Sequence, residues 1–293
     1  MVTDFDFKIV DSIIAQALKE DKIDQDITSE LLFPKDKLAK AIIVAKGKGI
    51  IAGLEIAERV FYLLDKKIKF KKLTKDGKWI KKGEKVAFIE GSLKKILAGE
   101  RTALNFLMRL SGIATLTRKF VEKVHPHKVK IMDTRKTTPG LRILEKYAVR
   151  VGGGVNHRGD LSDGVLIKDN HLKKIKNQKS KIKSLIQEIR RRISQDIEIE
   201  IEVKNLKEFK EALETGCDVI MLDNMSFPKV KEAVRMRSRL WAIGHRPGVE
   251  IEVSGGINLR NIRKFASLGI ERISIGALTH SYKSLDFSLE LTP

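Results

Sequence analysis

The chain of 293 residues contains one cysteine, Cys217. No intramolecular disulfide can form, and a reducing cytoplasm is the expected compartment. With no histidine-bearing motif beside it, Cys217 reads as a small core residue. No apolar run approaches the roughly 18 residues a membrane helix needs. The opening MVTDFDFKIVD holds three acids and lacks the basic-then-apolar order of a secretory signal. Acids are in the minority: 38 Asp and Glu face 58 Lys and Arg, a formal charge of +20. That charge raises nucleic acid as a partner. Yet no aromatic residue lies between Leu172 and Glu208, so the most basic stretch, Lys173–Arg192, lacks the stacking platforms of single-strand binders. The spacing of Ile175, Ile182, Leu185, Ile186, Ile189 and Ile193 predicts a helix whose outer face carries the cations. A solvated lysine-rich surface plus an anionic substrate accounts for the charge better.

The periodicity of Ile9, Val10, Ile13, Ile14, Ala17 and Leu18 predicts an amphipathic helix from about Phe7 to Lys22, followed by a capped turn in DQDITSELLF. AIIVAKGKGIIAG and KKGEKVAFIEG read as strands around a helix, GLEIAERVFYLLDK. AGERTALNFLMRLSGIATLTRKFVEKV is a long helical region with an expected break near Ser111-Gly112. After Lys128 the texture changes. KVKIMD, GVLIKD, IEIEIEV, DVIMLDN, VEIEVSGG and RISIGAL are short apolar strands, several of them separated by helical stretches. That repetition predicts a parallel sheet, either doubly wound or closing toward a barrel.

Each of these strands stops at a polar group: Asp133 with Arg135 and Lys136, Lys168 with Asp169, Glu202, Asp223, Ser254-Gly255-Gly256, and Gly276-Ala277. In a β/α barrel these ends form the active-site rim. The late glycines SGGI and IGAL suit a phosphate, because glycine lets backbone N–H groups approach closely. Arg135, Lys136, Arg142, Arg158, Lys168 and His157 lie on or between the first two barrel strands. So many cations point to a substrate with several negative groups. Glu202 and Asp223 would then hold Mg²⁺ or ribose hydroxyls.

ERTALNFLMRLSGIAT, DTRKTTPGLRILEKYAVRVGGGVNHR, LIKDNH, VIMLDN, SGGI and ISIGALTHS together resemble the quinolinate phosphoribosyltransferase family, from Gln25-Asp26-Ile27-Thr28 to Ser281. The resemblance implies an α/β protein with an N-terminal α/β sandwich (1–112), a C-terminal open, incomplete α/β barrel (113–280) and a tail (281–293) packing back on the first domain. It implies transfer of phosphoribosyl from phosphoribosyl diphosphate to quinolinate, with Mg²⁺, giving nicotinate mononucleotide, diphosphate and CO₂. It also implies a head-to-tail homodimer in which each site borrows an arginine, matched here by Arg101. The ordinary alternative for Arg101 is an exposed arginine paired with Glu100. Arg135, Lys136, His157, Arg158 and Lys168 match the carboxylate and phosphate cluster, with Thr134 beside it. Glu202 and Asp223 match the acids near ribose and metal. Ser254, Gly255, Gly256 and Gly276 match the 5′-phosphate loop, which Ile275 and Ala277 flank. Lys136, Lys168, Glu202 and Asp223 are the catalytic candidates. The chain departs from the pattern at Gln25, where glycine is usual, and at Lys204, where an acid is common.

Two rivals differ in class. A sister group associated with molybdenum transport shares part of the TRKT block, but the intact TTPGLR and LIKDNH weigh against it. A non-catalytic nucleic-acid-binding protein would rest on the charge alone. The ordinary phosphoribosyltransferase motif needs two adjacent acids and a Thr-Gly-rich loop after a strand; VIMLDNMSF has one acid and no such loop.

Overall fold

In the computed structural model, which describes residues 5–175, 182–242 and 248–293, the elements run as follows in chain order. The first part holds α1 (Phe7–Glu20), α2 (Ile27–Leu32), β1 (Leu38–Ala45), β2 (Gly49–Ile50), α3 (Leu54–Leu64), β3 (Lys69–Lys72), β4 (Trp79–Ile80), β5 (Lys85–Ser92) and α4 (Leu93–Val124). Then come β6 (Lys130–Met132), α5 (Arg142–Val151), β7 (Val165–Ile167), α6 (Asp169–Ile175), α7 (Ile182–Arg192), β8 (Ile199–Val203), α8 (Leu206–Leu213) and β9 (Val219–Asp223). The chain closes with α9 (Phe227–Ala242), β10 (Glu250–Ser254), α10 (Ile262–Ala266), β11 (Arg272–Ser274), α11 (Ala277–His280) and β12 (Phe287–Thr292). No helix among the described residues is long and apolar enough to cross a membrane.

Two compact units result, interleaved in sequence rather than consecutive. Unit 1 takes residues up to Arg118, Thr137–Gly153 and Ala277–Pro293; unit 2 takes Lys119–Lys136 and Gly154–Gly276. In unit 1 the antiparallel order is β12-β1-β5-β3. The last strand pairs with β1 from Lys40↔Thr292 to Ala45↔Phe287, so the chain's end supplies an edge of the first sheet. The other edge, β3, is KFKK, mostly exposed; lysine on an edge strand discourages pairing with foreign chains. Its polarity hides it from an apolar-run search. The capped turn near Asp26 is the short helix α2, whose first turn Asp26 caps by accepting the Ser29 N–H at 3.1 Å.

The expected break at Ser111-Gly112 is absent: α4 is one helix of 32 residues. These residues serve packing instead. The Ser111 hydroxyl accepts the Ala52 N–H at 3.0 Å, and Thr115 accepts that of Ile50 at 2.9 Å. At Gly112 a Cβ would stand 2.5 Å from the Lys283 carbonyl oxygen and 2.9 Å from Ser284 Cα. Glycine is required there so that the chain can approach the helix. The helix expected across Lys173–Ser194 is α6 and α7 where described; residues 176–181, and the side chain of Ile175, lie outside the described residues. On α7 Ile186 is buried while Lys183, Arg191 and Arg192 are exposed.

Unit 2 settles the choice between a doubly wound sheet and a barrel. Its parallel order is β6-β11-β10-β9-β8-β7. From β7 to β11 every strand lies beside its predecessor, in one direction, and β6 joins beyond β11. A doubly wound sheet reverses direction midway; this order is that of a barrel opened between β6 and β7. A single bridge, Met132↔Val155, lines that seam.

Gly112→Ala is expected to lose about 1–3 kcal/mol of stability, the usual scale of overpacking against backbone that cannot yield. A urea melt of the variant against the wild type measures it; an unchanged midpoint would show that the 283–284 segment gives way freely.

Candidate active site

Side chains alternate across a strand. Register pairs Leu166 with Glu200, Glu202 with Met221, and Ser254 with both Asp223 and Ser274. By that parity Lys168, Glu202, Asp223 and Ser254 share one face, at the C-terminal strand ends. Below them on the same face stand Glu200 and Glu252, and at the opposite end Glu198, Glu250 and Arg272.

At the rim, burial and then the Asp223 charge hold the Glu202 carboxyl above its usual range, with Lys168 opposing. Lys204, found where an acid was expected, reaches Asp169 at 2.5 Å. A raised carboxyl beside a second acid makes a place for a hard cation or for hydroxyl donors. Lys168 is exposed; its backbone N–H donates to His171 Nδ1 at 2.9 Å, which explains the histidine of LIKDNH. The glycine loops follow. Asn224, Gly255 and Gly256 all have positive φ, at 52°, 85° and 66°. A Cβ on Gly255 would run into the Asn224 side chain, whereas Gly256 faces open space. Ile275 is spent on structure: its side chain is buried and its N–H donates to the Met132 carbonyl at 2.9 Å, joining β11 to β6. Gly276 ends unit 2 and Ala277 opens α11 in unit 1.

Arg135 and Arg158 form the cationic part. The Arg158 guanidinium is held below its usual range by burial and then by the Arg135 charge. Arg135 Nε is buried with no hydrogen-bond partner among the described residues. Two arginines that repel each other, one with an unsatisfied buried donor, are stabilised by an anion between them. Thr134 Oγ1 accepts the Lys136 N–H at 3.1 Å, and the Lys136 side chain is exposed.

Asp133 is wholly buried and accepts the His157 N–H at 2.9 Å and the Asn156 amide at 2.5 Å. His157 Nδ1 accepts the Arg158 N–H at 2.8 Å, so the ring proton sits on Nε2, 3.1 Å from Glu200 Oε2 and 3.6 Å from Glu252 Oε1. His157, Glu200 and Glu252 each offer an atom within 4.8 Å of the others. The Nε2 proton removes the ring as a metal ligand in this arrangement. His157 thus points into the barrel rather than toward the rim, with its side chain 11% exposed. Glu200 and Glu252 escaped the sequence reading, although Glu at every second position of IEIEIEV and VEIEVSGG signals one acidic face.

Arg101 lies in unit 1, 68% exposed and 2.9 Å from Glu100. It lines a cavity of about 740 Å³ with Asn105, Arg109, Pro139, Gly140 and Leu141. The structure adds a second unit 1 feature. Glu145, fully buried on α5, accepts Arg109 Nε at 3.1 Å and the Thr138 N–H at 3.2 Å, and Arg142 Nε donates to Thr137 Oγ1 at 3.0 Å. These bonds fix the TTPGLR loop against unit 1. Arg109 and Glu145 could be suspected from sequence only as charges set in otherwise apolar helix faces.

An open α/β barrel with paired arginines and paired acids at its C-terminal end defines an enzyme of the anion-binding barrel class. The models for quinolinate phosphoribosyl transferase match in both parts, the N-terminal domain over residues 26–111 and the C-terminal domain over 113–290. The chain belongs to the quinolinate phosphoribosyl transferase family. A relative from Bacillus subtilis (strain 168), named a probable nicotinate-nucleotide pyrophosphorylase (carboxylating), is 42% identical over 267 residues, 91% of this chain and 88% of that one. One of the same name from Methanocaldococcus jannaschii is 41% identical, covering 99% of both. The crystal structure of NadC from Streptococcus pyogenes is similar at a TM-score of 0.89, with 41% identity and 99% of each chain covered.

Burial, and then the Glu200 charge, push the Glu252 carboxyl up to about 7. Between the ordinary 4.5 and about 7 the folded chain keeps a proton that the unfolded chain has lost, so this group's contribution to stability falls as pH rises through that window. Glu252→Gln removes the titration. Its melting temperature relative to wild type is expected to climb from pH 5 to pH 8; a constant difference would refute the assignment.

Proposed function

We propose that this protein transfers the phosphoribosyl group of phosphoribosyl diphosphate to quinolinate, releasing diphosphate and CO₂ and giving nicotinate mononucleotide, in the cytoplasm. The observation that carries it is the pair Arg135 and Arg158, mutually repelling and partly desolvated, on a chain whose family match spans both domains. Two adjacent carboxylates on one ring are the complement of two adjacent guanidinium groups.

The pyridine nitrogen attacks ribose C1 as the C1–O bond to diphosphate breaks. Arg135 and Arg158 hold the ring carboxylates, so the nitrogen is presented in line and little orientational entropy is left to lose. Lys136 and Lys168, both exposed cations, neutralise charge on the departing diphosphate. Glu202 and Asp223 take the ribose hydroxyls or Mg²⁺. Their oxygen donors and mutual repulsion suit that ion, which when bound supplies charge neutralisation at the diphosphate. Ser254, Gly255, Gly256 and Gly276 offer backbone to the 5′-phosphate. Once the ring nitrogen is cationic, the C2–carboxylate bond breaks, its electrons stay at C2 beside N⁺, and C2 takes up a proton. Cys217 is buried and its thiol is pushed up to about 11 by burial, so it takes no nucleophilic part.

The assembly proposed is a homodimer with shared sites. Its support is Arg101, exposed, in unit 1, and matched to a substrate-binding arginine of the family.

Incubation with quinolinate, phosphoribosyl diphosphate and Mg²⁺ is expected to yield nicotinate mononucleotide. Nicotinate in place of quinolinate is expected to be a poor substrate, since it leaves one arginine without its anion; comparable efficiency would defeat the reading. Arg101→Ala and Lys136→Ala should each be nearly inactive alone. Mixed with subunit exchange, they should recover up to about a quarter of wild-type activity, because half the dimers are mixed and each has one intact site. No recovery with exchange confirmed would place Arg101 outside a shared site.

A further inference from the structure

The seam between β6 and β7 is where the barrel lacks a ladder, and both substrate-facing arginines belong to segments beside it. Arg135 follows β6 by three residues. Arg158 lies in the segment Val155–Arg158, which precedes β7. That segment holds to β6 through the Val155 N–H on the Ile131 carbonyl at 2.8 Å and the Asp133 N–H on the Val155 carbonyl at 3.4 Å. Toward β7, Arg158 Nη1 donates to the Gly164 carbonyl at 3.4 Å. These backbone bonds are made at Val155, two residues before the histidine and three before the arginine that matters.

What continues the attachment is a carboxylate. Asp133 accepts from the His157 backbone through Oδ1 and from the Asn156 side chain through Oδ2. It is fully buried, so neither bond competes with water. On the far side of the same segment the His157 ring reaches Glu200 and Glu252 of β8 and β10. The segment is thus held from the seam by Asp133, while its histidine ring faces two acids of the barrel interior.

We propose that Asp133 is a positioning residue for quinolinate, a latch that ties Asn156–Arg158 to the strand end bearing Arg135 and so sets the spacing of the two arginines. It touches no substrate. Its effect is felt by the group that needs both arginines, the dicarboxylate, and not by the phosphoribosyl donor, whose acids and glycines lie on β8 to β11. This inference rests on the function proposed above.

The test is steady-state kinetics of Asp133→Asn and Asn156→Ala, with melting curves alongside. Asparagine offers one acceptor and turns an N–H₂ toward one of its two donors; alanine removes the Asn156 amide that Asp133 accepts and leaves the His157 backbone bond in place. The expected result is a KM for quinolinate raised about ten-fold, the low end for a lost charge-assisted hydrogen bond, with the KM for phosphoribosyl diphosphate and kcat little changed. An unchanged quinolinate KM in a folded variant overturns the proposal. So does an equal rise in both KM values, which marks general loosening, and so does failure of both variants to fold, which marks a folding element. A wild-type protein that does not use quinolinate defeats the proposed function itself, and the latch with it.

Discussion

The buried carboxylate of Asp133 is the interaction on which the site in unit 2 depends. A sheet that closed fully would hold every strand end by ladder bonds on both sides. Among the described residues no ladder joins β6 and β7; the Val155 backbone and one side chain at the first strand's exit hold the neighbouring segment instead. The arrangement leaves residues 155–158 tied at defined points, which suits a segment that must present a cation. It also explains why the acid is the first residue after β6: one position further, alternation would turn it to the other face.

The barrel interior is filled with charge in layers rather than with the branched apolar side chains usual in such barrels. At the N-terminal end Arg272 is paired with Glu198 and Glu250, which lifts its guanidinium above the usual range. In the middle His157 meets Glu200 and Glu252, of which Glu252 is raised. At the rim Glu202 and Asp223 face Lys168 with a surplus of acid. The rim keeps one lysine for two acids, and uncompensated charge in a partly desolvated place costs stability unless a ligand supplies the missing partner.

Unit 1 makes a parallel contribution through Glu145. One buried acid engages Arg109 and the Thr138 backbone, so the TTPGLR loop is organised by the long helix α4. The interleaving of the units in sequence follows from this loop and from β12, both of which leave the barrel's stretch of chain to complete unit 1. Of the α7 cations that contribute to the net charge of +20, Lys183, Arg191 and Arg192 face solvent, as an amphipathic helix requires, while Arg190 is half-buried and pairs with Asp218.

Much was legible in the residues alone. Apolar runs with polar ends gave all six parallel strands, since alternation and β-branching are local properties. The rim residues Lys168, Glu202, Asp223 and Ser254 were legible because each terminates such a run, and a strand's end fixes which end of a barrel it serves. The order of the strands was not, because no local signal says that β6 joins beyond β11; only the tertiary pairing decided between barrel and doubly wound sheet. Gly112 illustrates the limit: in sequence a glycine within a helix marks a break, while in the fold it marks the approach of residues 283 and 284. His157 illustrates it again. Its motif promised a cation for substrate, but its backbone is held by Asp133 and its ring faces Glu200 and Glu252, which are 24, 43 and 95 positions away by their own numbers. Chemistry is carried by residue type and is written locally. Direction and pairing come from groups distant in the chain, and packing alone brings those together.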